Sequence, residues 1–219
     1  MTTRRKIDSI EILAQDFLRL KQQQSSQNRV LLGITGPPGA GKSTLSENLH
    51  QELRRLGVSS KVVPMDGFHL DNETLQAMGI LHLKGIEQSF DGEGFVRLLK
   101  RLKEGLDLNV PYPTFDRSME STVKNGGFVP SGEENLIVEG NYLLSDSVPW
   151  HQIRCLLDWV WYVDVPEDVL LPRLLMRHMN GGKDLEQAQE KVASTDLPNA
   201  QHVARTKSKA DLLLDLSEL

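Results

Sequence analysis

The chain has 219 residues, 39% of them hydrophobic and 25% charged, with a net charge of −5. This is the composition of an ordinary globular protein with room for one sizeable core and a small insert, and it lacks the basic footprint of a nucleic-acid binder. No apolar run reaches the length of a membrane span and the N-terminus has no apolar signal core, so a cytoplasmic protein without membrane contacts is expected.

Residues 6–20 carry Ile7, Ile10, Leu13 and Phe17 at helical spacing and predict an amphipathic helix. Phe17 and Leu20 would dock on the chain's own core or on a second chain, which leaves a homodimer open. A polar linker, KQQQSSQN, covers residues 21–28. Val30 to Thr35 reads as a short buried strand. A glycine-rich loop comes next, then a helix from about Lys42 to Leu56 that Gly57 stops. Lys61 to Met65 predicts a second strand leading into Asp66. Pro64 suits an early end or a place at the sheet edge.

Asp71 to Met78 and Gly92 to Leu106 read as helices. Residues 109–130 are punctuated by Pro111, Pro113, Asn125-Gly126-Gly127 and Pro130, and predict an insert, a hairpin or irregular arm. Leu136 to Glu139 and Trp159 to Val165 are further strands. Pro166 opens a helix to about Met179, which Pro172 should kink and Asn180-Gly181-Gly182 ends. Asp184 to Ala193 is a helix, and Asp211 to Leu216 suits a last strand. Strands alternating with helices predict one α/β domain over residues 1–219 with a mainly parallel sheet. The short basic clusters Arg4-Arg5-Lys6, Arg54-Arg55 and Lys100-Arg101 with Lys103 read as solvated helix faces. The single cysteine, Cys155, reads as a core residue. The six histidines show no metal-ligand spacing, so no zinc is expected.

The glycine loop carries the first chemistry. Gly36-Pro37-Pro38-Gly39-Ala40-Gly41-Lys42-Ser43 satisfies G-x-x-x-x-G-K-[ST] in full, between an apolar strand and a helix, with Thr44 next in the chain. Such a loop turns backbone N–H groups onto phosphate oxygens, with a helix N-terminus behind them. Lys42 would reach the β- and γ-phosphates and the Ser43 hydroxyl would take Mg²⁺. The loop therefore predicts a nucleoside triphosphate.

The fate of the bound nucleotide has two readings, a small-molecule kinase or a GTPase-type switch. For the switch, Asp91 to Gly94 matches D-x-x-G but no apolar strand precedes it. Ser208 to Asp211 matches the guanine motif only with serine for asparagine. For the kinase, Asp66 closes a strand at the end that lines the ligand crevice, where a carboxylate can accept a hydroxyl proton or bind Mg²⁺ through water. Gly67 beside it would leave room for an acceptor to approach. Glu139 ends NLIVE in the same way and suits a Mg²⁺-orienting carboxylate. Arg173 and Arg177 are four apart and share a helix face, which suits a lid over phosphates or a plain solvated face. His69 and His82 flank the presumed acceptor region.

The ordered set GITGPPGAGKST, MDGFHLDN, LKGIEQSFD, PYPTFDRS, LIVEGNYLL and VDVPEDVLLPRLLMRH resembles the phosphoribulokinase/uridine kinase/pantothenate kinase family. It is most similar to bacterial members described as nucleoside/nucleotide kinase-like or fructose-transport kinase-like, over roughly residues 28–215. The resemblance implies a P-loop three-layer sandwich, ATP with Mg²⁺, and a small-molecule acceptor. It implies Asp66 as catalytic carboxylate, Lys42 and Ser43 on phosphates and metal, Glu139 beside the metal, and a lid over residues 167–183 with Arg173 and Arg177. Tyr112 falls on a tyrosine that pantothenate kinases use near the acceptor, but Thr114 stands where those kinases carry histidine. Lys84 and Arg117 lie in segments similar to the acceptor site. The acceptor itself is left open.

Overall fold

The computed structural model describes residues 3–24, 29–106, 109–116 and 119–217. Among them, eight strands, seven α-helices and several short 3-10 turns alternate along the chain. In order these are β1 (Thr3–Lys6), α1 (Ile10–Gln23), β2 (Val30–Thr35), α2 (Lys42–Arg55), β3 (Lys61–Pro64), α3 (Asn72–Ala77), α4 (Gly92–Lys103), β4 (Val110–Asp116) and β5 (Ser121–Val129). They continue with β6 (Asn135–Glu139), β7 (Trp159–Val163), α5 (Glu167–Asn180), α6 (Leu185–Lys191), α7 (Leu197–Ala204) and β8 (Leu212–Asp215).

Six strands form a parallel sheet in the order β1-β8-β7-β2-β6-β3. Because successive strand residues face opposite sides, one apolar run serves two cores. Leu31, Val160 and Tyr162 face Phe95 and Leu99 of α4. Leu32, Ile34, Trp161 and Val163 face Leu45 and Leu49 of α2 and Phe17 of α1. The result is the expected three-layer α/β sandwich, with β2, buried throughout, near its centre.

Pro64 lies on an edge strand, in register with Glu139, and β3 ends there rather than at Met65. An edge place tolerates the missing N–H. Val110–Asp116 and Ser121–Val129 form the antiparallel pair β4-β5, separate from the main sheet. The α5 helix continues through Pro172 as a single element, and the exposed proline removes one internal hydrogen bond without ending it.

Four expectations are corrected. Residues 3–6 are a strand and the helix begins at Ile10, so Arg4, Arg5 and Lys6 stand on a sheet edge rather than a helix face. The partner that makes them extended, β8, lies over two hundred residues away in sequence. The face read for α1 holds: Leu13 and Phe17 are fully buried against the chain's own core. Residues 21–23 of the expected linker are the end of α1, and residues 25–28 lie outside the described residues. Cys155 is exposed, because its 3-10 turn points Ile153 and Leu157 inward and the cysteine between them outward. The helix expected to stop at Ala193 instead passes through a π-helical segment, Val192–Asp196, into α7.

Candidate active site

The crevice lies at the carboxyl ends of the strands. After β2 the chain turns sharply through the glycine loop into α2. Gly41, the residue before the helix, has φ +92°, and a side chain there would be strained although nothing occupies the space. Gly36, Pro37 and Pro38 are buried, while Ser43 and Thr44 at the start of α2 are exposed toward the crevice. Lys42 is nearly buried at 8% exposure, with its ammonium donating to the Pro37 carbonyl at 2.9 Å. Its side chain thus folds back across the loop it belongs to.

Ser43 Oγ donates to Glu139 Oε2 at 3.2 Å, joining the loop to the end of β6. Glu139 is 6% exposed. The pair offers two hard oxygen donors at a helix N-terminus, which is the donor chemistry Mg²⁺ takes. The register Pro64↔Glu139 sets the chain leaving β3 beside the same point. Asp66 comes next, in the 3-10 turn Met65–Phe68, half-buried and just beyond the strand end that the sequence predicts for it. Loop, Glu139 and Asp66 therefore share one crest of the sheet. A triphosphate on the loop and an alcohol near Asp66 would meet there.

Gly67 does not leave room for an acceptor. A Cβ on it would fall 1.9 Å from the Pro113 carbonyl oxygen, so the glycine admits the hairpin backbone instead. This seats β4 against the Asp66 turn. Tyr112, nearly buried, donates its hydroxyl to the Val62 carbonyl at 3.1 Å, and burial pushes its phenol upward from the usual range. His69 Nδ1 lies 2.9 Å from the Asp66 carbonyl, and its ring sits between Phe90 (4.0 Å) and Phe115 (4.7 Å). The Lys84 ammonium stands 5.4 Å over the Phe115 ring and donates to Asn72 Oδ1 and the Glu120 carbonyl. Asp66, His69 and Lys84 are thus strung along one wall. Arg117 lies outside the described residues.

The α5 helix lies on the phosphate loop. A Cβ on Gly39 would meet Leu174 at 3.0 Å, with Leu170 next to it. Arg173 and Arg177, three residues on from Leu170 and Leu174, are exposed, and neither side chain makes a hydrogen bond or ion pair among the described residues. At the far end of α5, His178 Nε2 meets Asp196 Oδ2 at 2.6 Å, tying the helix to the π-helical segment.

The two strings that match switch motifs have structural work. Asp91 caps α4, accepting from the Gly94 N–H at 2.8 Å. Asp211 accepts from the Val160 N–H at 2.6 Å and pairs with Arg154. Neither supports a guanine reader or a switch loop.

Sequence reasoning passes over the donors that hold the loop after α3. Tyr142 Oη and Asn199 Nδ2 both donate to the Gly85 carbonyl, at 2.6 and 2.9 Å. Burial pushes the Tyr142 phenol far up, helped by the nearby Glu87 carboxylate. Lys191 donates to the carbonyls of His82 and Lys84, each at 3.0 Å. The apolar character around Tyr142 is readable in the sequence. The lysine contact depends on a bend through the π-helical segment that no local pattern announces.

Comparisons with known proteins identify the fold and the family. A crystal structure from Silicibacter sp. TM1040, provisionally named a fructose transport system kinase, superposes with a TM-score of 0.87 at 36% identity, over 94% of this chain and 98% of that one. A provisionally named uridine kinase of Schizosaccharomyces pombe (strain 972) is 32% identical over 95% of this chain and 93% of its own length. The pantothenate kinase of Limosilactobacillus reuteri subsp. reuteri is 28% identical over 95% of this chain and 78% of its own. The model of the phosphoribulokinase/uridine kinase family matches residues 31–217, which takes in the phosphate loop, Asp66, Glu139 and α5. The chain belongs to the phosphoribulokinase/uridine kinase family of P-loop kinases.

Proposed function

We propose that this chain transfers the γ-phosphoryl group of ATP to a hydroxyl of a small-molecule acceptor. The observation that carries the reading is the shared crest: Ser43 on Glu139, and Glu139 in register with Pro64 just before Asp66. It supports a site in which donor phosphates and acceptor oxygen stand side by side.

In this reading the acceptor hydroxyl attacks the γ-phosphorus in line. A new O–P bond forms as the bond to the β,γ-bridging oxygen breaks, and ADP leaves. Asp66 takes the hydroxyl proton. The N–H groups of Gly39 to Thr44 hold the triphosphate, and Lys42 swings from Pro37 onto the β- and γ-oxygens. Ser43 and Glu139 would hold Mg²⁺, which, when bound, offsets charge on the phosphates. Residues 167–183 act as a lid, and closure brings Arg173 and Arg177 over the transferring group. His69, Lys84 and Tyr112, with Arg117, form the acceptor side. Tyr112 does so from behind, by fixing the hairpin.

The test is ADP release with Mg-ATP across a panel of alcohols, with mass spectrometry of the acceptor. Acceptor-dependent ADP in step with a phosphate ester is expected. Inorganic phosphate release with guanine preference and no ester would contradict it.

A further inference from the structure

Beside the acceptor wall lies a concentration of positive charge that phosphoryl transfer itself does not use. Lys84 projects from the loop after α3, and Lys191 reaches the same loop from the end of α6. Lys191 is half-buried, and both of its hydrogen bonds go to neutral carbonyls, those of His82 and Lys84. Lys84 likewise donates to a carbonyl and to the Asn72 side-chain amide, with the Phe115 ring beneath it. Among the described residues no carboxylate forms an ion pair with either ammonium. Asp196 and Glu120 act on Lys191 only from farther off, and Lys183 adds a third positive charge. Burial, together with Lys183 and Lys84, holds the Lys191 ammonium below the usual lysine range, against the pull of the two carboxylates.

Both lysines rest on neutral acceptors, and the Lys84 charge acts on Lys191. Carbonyls orient an ammonium but do not neutralise it, and each lysine keeps one N–H beyond the two bonds it makes. The pair also stands at a fixed place relative to Asp66. The Asp66 carbonyl meets His69, the His69 ring meets Phe115, and Phe115 lies under Lys84, whose own carbonyl takes Lys191. His69 and Phe115 therefore form an aromatic floor with the Asp66 turn at one end and the Lys84 ammonium at the other, and Lys191 is tied to the Lys84 backbone beside it.

We infer that the acceptor carries an anionic group, a carboxylate or a phosphate, which docks at Lys84 and Lys191 while its hydroxyl faces Asp66. This rests on the kinase reading above and adds the acceptor's chemical class. The anion supplies the neutralising charge that the protein withholds, and the floor sets its distance from the reacting hydroxyl. A neutral alcohol would leave both lysines unmatched.

Matched pairs test this: glycerate against glycerol, pantothenate against pantothenol, and ribose 5-phosphate against ribose, each with saturating Mg-ATP. The anionic member of any pair that turns over should have the higher kcat/KM, by about tenfold or more, the worth of a charge-assisted contact. Lys84→Gln and Lys191→Gln should each cut that preference by about tenfold, mainly through KM, and Lys191→Arg should restore part of it. Circular dichroism guards against misfolding of the Lys191 variants. Lys84, on the surface, gives an independent answer. Equal or better use of the neutral members, or equal loss for both members in the Lys84→Gln protein, would overturn the inference. If no acceptor turns over, the kinase reading fails separately, and thermal shifts with Mg²⁺ and a non-hydrolysable ATP analogue still decide the binding claim. A shift with anionic members that Lys84→Gln removes supports it, and no shift with any of them overturns it.

Discussion

Ser43 Oγ and Glu139 Oε2 stand 3.2 Å apart, so the first turn of the phosphate-binding helix and the end of the neighbouring strand act as one unit. Substituting either should therefore show first in metal use. Ser43→Ala and Glu139→Gln are expected to need about tenfold more Mg²⁺ for half-maximal rate, with smaller change in ATP affinity at saturating metal. Rate titrated against Mg²⁺ in the three proteins checks this.

Lys42 folds back onto the Pro37 carbonyl, so its removal takes that hydrogen bond, among its contacts, from the loop. Lys42→Ala should cost about 1 kcal/mol of stability or less, yet lower turnover by about a thousandfold, because the ammonium acts where charge develops. Thermal melts beside turnover separate the two effects.

The Arg173 and Arg177 side chains are exposed and make no ion pair or hydrogen bond among the described residues. Arg173→Ala and Arg177→Ala should leave the melting temperature unchanged and lower kcat more than they raise KM for ATP. An unchanged kcat would return both to the role of solvated surface.

Gly67 admits the Pro113 carbonyl at a point where a Cβ would sit 1.9 Å away. Gly67→Ala should destabilise the protein by about 2 kcal/mol or more, since backbone must move. Hydrogen exchange should locate the loosening at β4 and the Asp66 turn.

The legible part of the structure is the part with local causes. The glycine loop, the edge place of Pro64 and the buried runs of β2, β6 and β7 come from residue type and spacing alone. The strand at Thr3–Lys6 is not legible, because four mostly charged residues become extended only on meeting Leu212–Asp215. The sequence marks Gly67 as a place of close approach but names the wrong neighbour, since only the folded chain shows Pro113 there. Lys191 reaches His82 and Lys84 across more than a hundred residues, a contact that depends on where the helices beyond α5 turn. Strand-end reasoning puts Asp66 at the same end of the sheet as Glu139, although it sits in a 3-10 turn just past the strand.

The most direct test of the account is Asp66→Asn, which keeps the shape of the side chain and removes its proton acceptance. With an acceptor in hand and Mg²⁺ saturating, kcat should fall by about 10²–10⁴, the usual contribution of a general base, while ATP affinity stays within about twofold. A near-normal kcat at every Mg²⁺ concentration would contradict the assignment of Asp66 to the acceptor proton.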